Sequence, residues 1–268
     1  MKSSRPLTGF AALLLLSGIL SAQQASWTTA PTLPSKGHWV LREAAVLSKH
    51  DRPSGNKRRS NTLSSRLSYG LDGERALFLD APLRSIGRDG GADLGDIALG
   101  WKWRFHQENP GPVDTIRASL SLGASLPTGA ERFTADEPVP FAELAWMKIT
   151  GRTGLGSSLA LRGEGERYQR ALSPGETGDA SLRYAGAFVW RLAPETYSET
   201  LEAATYFTIE TIAALDEGGD NEISLAAGLL YEAPSYAAEI SLALPVSSDL
   251  SDRPESKGAL LFGLRFLW

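Results

Sequence analysis

The chain has 268 residues, 42% of them hydrophobic and 22% charged, which is enough for one large domain or two small ones. A formal net charge of -4 gives no footing for a nucleic-acid partner, and the absence of cysteine excludes a disulfide framework and any thiolate metal or redox site. The mean hydropathy of -0.16 matches a soluble protein, but also a membrane barrel, in which only alternate residues meet lipid.

In chain order, Lys2 and Arg5 precede an apolar stretch from Phe10 to Leu20, and small residues follow at Ser21 and Ala22. This is the layout of a secretory signal peptide over residues 1–22, with an apolar core too short to span a bilayer as a helix. Residues 23–37 are polar and interrupted by Pro31 and Pro34. They carry no strand pattern, and both a lumenal and a periplasmic position are open to them.

From residue 38 to 268 the chain alternates. Ile97, Leu99, Trp101, Trp103 and Phe105 interleave with Asp96, Lys102, Arg104 and His106; Ile116, Leu120, Leu122 and Leu126 interleave with Arg117, Ser119, Ser121 and Ser125. Leu182, Tyr184, Phe188 and Trp190 alternate with Arg183, Ala185, Ala187 and Arg191, and Phe207 and Ile209 face away from Tyr206, Thr208 and Glu210. A period of two predicts strands. Twelve are expected, near 38–48, 62–70, 75–82, 94–106, 115–126, 139–149, 155–163, 179–192, 200–211, 222–232, 236–246 and 258–268. Glu143 and Lys148 fall on opposite parities, so the sixth strand is expected to carry a bulge.

The last strand is the most telling. Leu260, Phe262, Leu264, Phe266 and Trp268 form an unbroken apolar row at the carboxyl terminus. Left as an edge it would invite aggregation; in a closed barrel it pairs with the first strand. Short turns alternate with longer polar loops, and Trp101, Trp103, Trp190 and Trp268 fall near one end of their strands, as an interfacial girdle requires. The expected fold is therefore all-β, an antiparallel transmembrane barrel of about twelve strands in the outer membrane. Its partners would be membrane lipid, small solutes, lipopolysaccharide at the outer loops, and the barrel-assembly machinery through the closing strand.

Three stretches and the tail carry a further resemblance. Ser68-Tyr-Gly-Leu-Asp-Gly-Glu-Arg75, Gly91-Ala-Asp-Leu-Gly-Asp-Ile-Ala-Leu-Gly-Trp-Lys-Trp-Arg-Phe105 and Ser121-Leu-Gly-Ala-Ser-Leu-Pro-Thr-Gly129 resemble the MetA-pathway phenol-degradation family, as does the tail from Ile223. The resemblance runs over roughly Thr62 to Trp268. It implies an outer-membrane barrel, often called a transporter, and supplies no catalytic motif.

The three histidines, His38, His50 and His106, lack metal spacing, and no Ser–His or paired-acid constellation is present, so no enzyme, cofactor or metal site is expected. Asp216-Glu-Gly-Gly-Asp-Asn-Glu222 lacks the spacing of a calcium loop and reads as a solvated turn. The basic stretch from Lys49 to Arg59 is an outer-loop candidate for lipopolysaccharide phosphates.

The expected pore lining is charged. Lys102, Arg104, Arg117, Arg191 and Arg265 fall on the inward face near the periplasmic end, with Glu202 as the nearby acid; Arg183 is inward too, and Asp96, Asp179 and Glu210 are expected inward near the outer end. A basic ring favours anions. The expected function is a passive channel for small solutes, anionic or aromatic ones included. The alternative is a closed barrel that binds lipopolysaccharide or a partner through its outer loops.

Overall fold

The computed structural model describes residues 24–51, 57–87, 91–111, 113–135, 137–163, 180–196, 203–251 and 255–268. The proposed signal peptide, Asp179 and Glu202 lie outside these residues.

Among the described residues, thirteen strands form one antiparallel sheet that closes on itself. They are β1 (Trp39–Asp51), β2 (Lys57–Gly70), β3 (Arg75–Ile86), the two-residue β4 (Asp93–Leu94), β5 (Ile97–Glu108), β6 (Thr115–Leu126), β7 (Val139–Thr150), β8 (Thr153–Arg162), β9 (Ser181–Ala193), β10 (Ala204–Asp216), β11 (Asn221–Glu232), β12 (Tyr236–Asp249) and β13 (Glu255–Leu267). Twelve span the wall, since β4 only adds a short pairing to β3. Each spanning strand neighbours the next in sequence, and β13 pairs with β1. Closure matters because it leaves no unpaired edge. The seam runs from Val40↔Leu267 to Asp51↔Glu255 and is tied at its end by Trp39 N–H to Trp268 O at 2.8 Å and Trp268 N–H to Trp39 O at 3.1 Å.

Side-chain alternation sorts the wall into two faces. Leu47, Leu77, Leu99, Leu144, Leu159, Leu229, Leu242, Phe262 and Leu264 all remain exposed on the outside. A soluble domain would not leave such a contiguous apolar surface bare; a lipid-facing one must. Rings cluster at the rim that carries the short turns: Trp39 with Tyr69 (centroids 4.6 Å apart), Trp101 with Trp103 (6.3 Å) and Tyr231 with Tyr236 (5.9 Å). Trp190 and Trp268 are exposed outside as well.

Four sequence expectations change. Strand β7 carries no bulge: its register with β6 and with β8 is unbroken. Glu143 sits on the inward parity with buried Ala145 and Met147, while Lys148 is exposed on the outside at the short-turn end. A long lysine stem tolerates that position because its ammonium reaches the polar rim. Strand β10 runs over Ala204–Asp216 rather than 200–211, because the following turn is tight and has Gly219 at φ +88°. Glu210 therefore lies at mid-depth, not near the long-loop end.

The expected strand over 94–106 breaks at Gly95-Asp96. The Asp96 carboxylate accepts from Gly129 N–H (3.0 Å) and Ala135 N–H (2.9 Å), drawing the 127–138 loop inward. Finally, much of the stretch expected as the first outer loop is wall: Lys49, His50 and Asp51 belong to β1, and Lys57, Arg58 and Arg59 to β2. His50 is buried, with Nε2 3.2 Å from Ser60 Oγ.

Candidate functional site: the barrel interior and its N-terminal segment

The interior is occupied by residues 24–36. This segment has no regular structure, and Pro31 and Pro34 remove two of its donors, so it must satisfy its remaining backbone groups against the wall. The main anchor is Glu210 of β10. Its Oε1 accepts from Ser26 N–H at 3.0 Å, and its Oε2 accepts from Trp27 N–H (2.9 Å), Thr28 N–H (2.8 Å) and Thr28 Oγ1–H (2.8 Å). Three successive N–H groups turned on one carboxylate make a concave anion cradle. Among the described residues no cation pairs with this carboxylate; the groups that hold it are these N–H and O–H donors.

The other contacts come from around the wall. Ser26 Oγ–H donates to Glu239 Oε2 at 2.9 Å, while Arg42 donates from Nη2 to Ser26 O at 2.8 Å and pairs with Glu239 Oε1 at 2.7 Å. Trp27 Nε1–H reaches Ser241 Oγ at 3.0 Å, Thr29 N–H reaches Ser158 Oγ at 3.3 Å, and Lys102 Nζ donates to Ala30 O. Strands β1, β5, β8, β10 and β12 thus all hold the segment. With a backbone radius of roughly 12 Å for a twelve-stranded barrel, a chain reaching these walls fills much of the cross-section.

Apolar contacts are slight by comparison. Ala25 packs with Ala187, Val189, Tyr206 and Leu230, and Ala30 with Met147 and Ile149. Room for them comes from small inward residues, Ala145, Gly154, Gly156, Ser158, Ala185 and Ala187; a Cβ on Gly156 would lie 4.0 Å from Thr28 Cγ2. The segment leaves at the short-turn rim. There Gly37 N–H bonds Gly70 O at 2.8 Å, and a Cβ on Gly70 would come within 2.2 Å of Ser35 O, so only glycine allows that approach.

The residues expected to line a pore are distributed along this interior. Lys102, Arg117, Arg191 and Arg265 face inward in the short-turn half; the last three are buried. Arg104 sits at the rim, its guanidinium bonded to Gly73 O. Arg191 donates to Glu195 O at 3.4 Å, and Arg265 lies 3.6 Å from Glu232. Arg183 shares the inward parity of β9 but is exposed at the opposite, long-loop end, away from this group.

Several interior residues were not singled out from the sequence. Arg66 makes a bidentate pair with Asp80 (2.6 Å each) and lies 4.8 Å over the Phe78 ring; Arg42, Glu239, Glu232 and Ser26 to Ala30 complete the set. A signal for the segment exists in the run of small inward residues on β7–β9, which is too roomy for an empty, self-filled lumen. Among the described residues no group of three His, Asp or Glu is placed to hold a metal ion.

No family model matches the chain, and no curated protein matches it. Solved structures do. The COG4313 outer membrane channel from Pseudomonas putida F1 superposes with a TM-score of 0.59 at 14% identity, covering 92% of this chain and 100% of that one. The chain has the fold of an outer-membrane channel. The NanC porin has the same kind of barrel, with a TM-score of 0.51 at 11% identity over 85% of this chain and 98% of that one. At such identities the likeness covers the wall, its closure and its strand order, and the interior chemistry has to be read from this chain's own residues.

Proposed function

We propose that this chain is an exported outer-membrane channel for small solutes, anionic ones favoured, and that it conducts when residues 24–36 leave the lumen. The observation that carries this reading is how the segment is held. Its anchors are hydrogen bonds to inward carboxylates, serines and a lysine, which water can replace, rather than a packed apolar core. A permanent filling would be expected to bury several large side chains; here the segment's largest fully buried one is Pro31, Trp27 is only half-buried, and Ala25 and Ala30 bury very little. On this reading the short-turn rim faces the periplasm, and the resemblance of residues 62–268 to the MetA-pathway phenol-degradation barrels supports transport. The closing strand is the element that the assembly machinery would recognise.

Lys102, Arg104, Arg117, Arg191 and Arg265 give the anion preference, since a basic ring lowers the barrier for anions and raises it for cations. The test is conductance in planar bilayers, for the whole protein and for a variant lacking residues 24–36. Steps should be rare in the first and frequent in the second, with an anion-selective reversal potential in a salt gradient. Arg104→Glu with Arg191→Glu should shift that potential towards cations. The occupied lumen also favours a second reading, a closed barrel whose long loops bind lipopolysaccharide or a partner. Absence of any step at any voltage in both proteins would select it.

A further inference from the structure

Between the internal segment and the wall of β1, β2, β3, β5 and β13 lies a cavity of about 400 Å³ that opens at the short-turn rim. Its volume lies within the roughly 300–1,000 Å³ of small-molecule sites. The charge on its lining is one-sided: Arg42, Arg66, Lys102 and Arg265 contribute to it, and no Asp or Glu does. The carboxylates that balance the arginines stand behind this lining, Glu239 against Arg42, Asp80 against Arg66 and Glu232 against Arg265.

Lys102 differs from the three arginines. Its Nζ donates to Ala30 O and has no ion pair with a carboxylate among the described residues. Glu143 is near enough to attract both Lys102 and Arg66, yet it neither bonds Lys102 nor reaches the cavity. An ammonium has three donors, so two remain for a ligand. The rest of the lining is mixed: Thr32, Ser35, His38 and Ser68 are polar, while Leu33, Val40, Phe78 and Leu267 give it an apolar side with one aromatic ring.

We infer that this cavity is a binding site for a small organic monocarboxylate with an apolar body, held by Lys102 at its carboxylate and by the apolar side of the cavity along its body. A lone charge-assisted donor in a confined site selects a single negative charge, and the paired arginines offer their unused N–H groups without adding net charge. The apolar side formed by Leu33, Val40, Phe78 and Leu267 favours a ligand with an apolar body over a strongly hydrated inorganic anion, which gains nothing there and still loses part of its hydration. The role of the site as an entry or exit station rests on the channel reading above; its existence does not. Because Lys102 also holds Ala30, an occupied site and a seated segment share one residue.

The experiment is calorimetric titration of the folded, detergent-solubilised full chain, corrected against detergent alone. Benzoate is the probe, with benzyl alcohol, benzylamine and formate as its neutral, cationic and apolar-free counterparts. Benzoate should bind at least tenfold more tightly than each of the other three. Lys102→Met should weaken it at least tenfold and Lys102→Arg should restore part of the loss. Ser68→Phe, which fills the cavity and leaves Lys102 and Ala30 in place, should abolish binding; heat-dependent gel mobility shows that each variant is folded. Equal affinity for benzoate and benzylamine, or unchanged affinity in both Lys102→Met and Ser68→Phe, overturns the proposal. A protein that binds benzoate and never conducts keeps the site and loses the channel, so the two failures are distinct.

Discussion

Replacing Glu210 by alanine removes the acceptor of four hydrogen bonds, from Ser26 N–H, Trp27 N–H, Thr28 N–H and Thr28 Oγ1–H. Each stranded donor costs about 1–3 kcal/mol if it stays dry. Water can enter a polar lumen and recover part of that, and the buried carboxylate's own desolvation penalty vanishes with it. Taking the low end per donor and discounting for hydration leaves about 3 kcal/mol lost from docking of the segment, on the order of a 10²-fold rise in the undocked population. The chain has no cysteine, so Ala25→Cys, at a position buried to 4% exposure, reports undocking through its rate of reaction with a bulky maleimide. That rate should rise about 10²-fold when Glu210→Ala is added. Rates equal within about twofold would refute the claim that this carboxylate seats the segment.

Gly70→Ala should loosen the same segment without touching a charge, since its Cβ would lie 2.2 Å from Ser35 O; the Ala25→Cys labelling rate should rise while the thermal midpoint of the wall stays nearly constant. Gly123→Ala should lower that midpoint by several degrees, because the new Cβ meets Leu99 O at 2.2 Å, whereas Gly156→Ala, with nothing nearer than 3.7 Å, should be close to neutral. Glu43 projects outward, hydrogen-bonded by Ser65 Oγ–H at 2.7 Å, on a face of leucines; Glu43→Leu should raise resistance to urea by about 1–2 kcal/mol, checked by refolding into liposomes. Asp72 accepts from Glu74 N–H and Arg75 N–H and sits beside the Arg75 guanidinium; above all the bond from Glu74 holds its carboxyl below the usual carboxylate range. Its contribution to the turn is therefore present above the ordinary carboxylate pKa and is lost as pH falls through the depressed value, which the amide chemical shifts of Glu74 and Arg75 should follow.

How much of this was legible depended on what periodicity can report. Alternation placed Arg104, Arg117, Arg191 and Arg265 on the inward face, because a period of two is a property of the strand itself. It misplaced the ends of β10, where Thr211 to Leu215 continue the alternation but a tight turn, not a pattern change, stops the strand. It also turned Lys148 into evidence for a bulge, since parity cannot distinguish an inward charge from a snorkelling one at the rim. The occupancy of the lumen was beyond it altogether. Residues 24–36 have no period, and their partners Glu210 and Glu239 are 182 to 213 positions away in the chain. The two prolines showed where no strand would form; only the wall shows where the segment goes.

Those separations also bear on the order of assembly. Ser26, Thr28 and Thr29 bind acceptors on β8, β10 and β12, strands made late in the chain, while Gly37 ties the segment to the end of β2, the partner of the β1 strand that must find β13. Contacts of such long range form only after the loops between them have closed. The acceptor set for residues 26–30 is complete only in a cylinder whose first and last strands are already in register. Seating of the segment is then a report that closure succeeded, and a wall joined one step out of register would leave Glu210 and Glu239 without the donors they need.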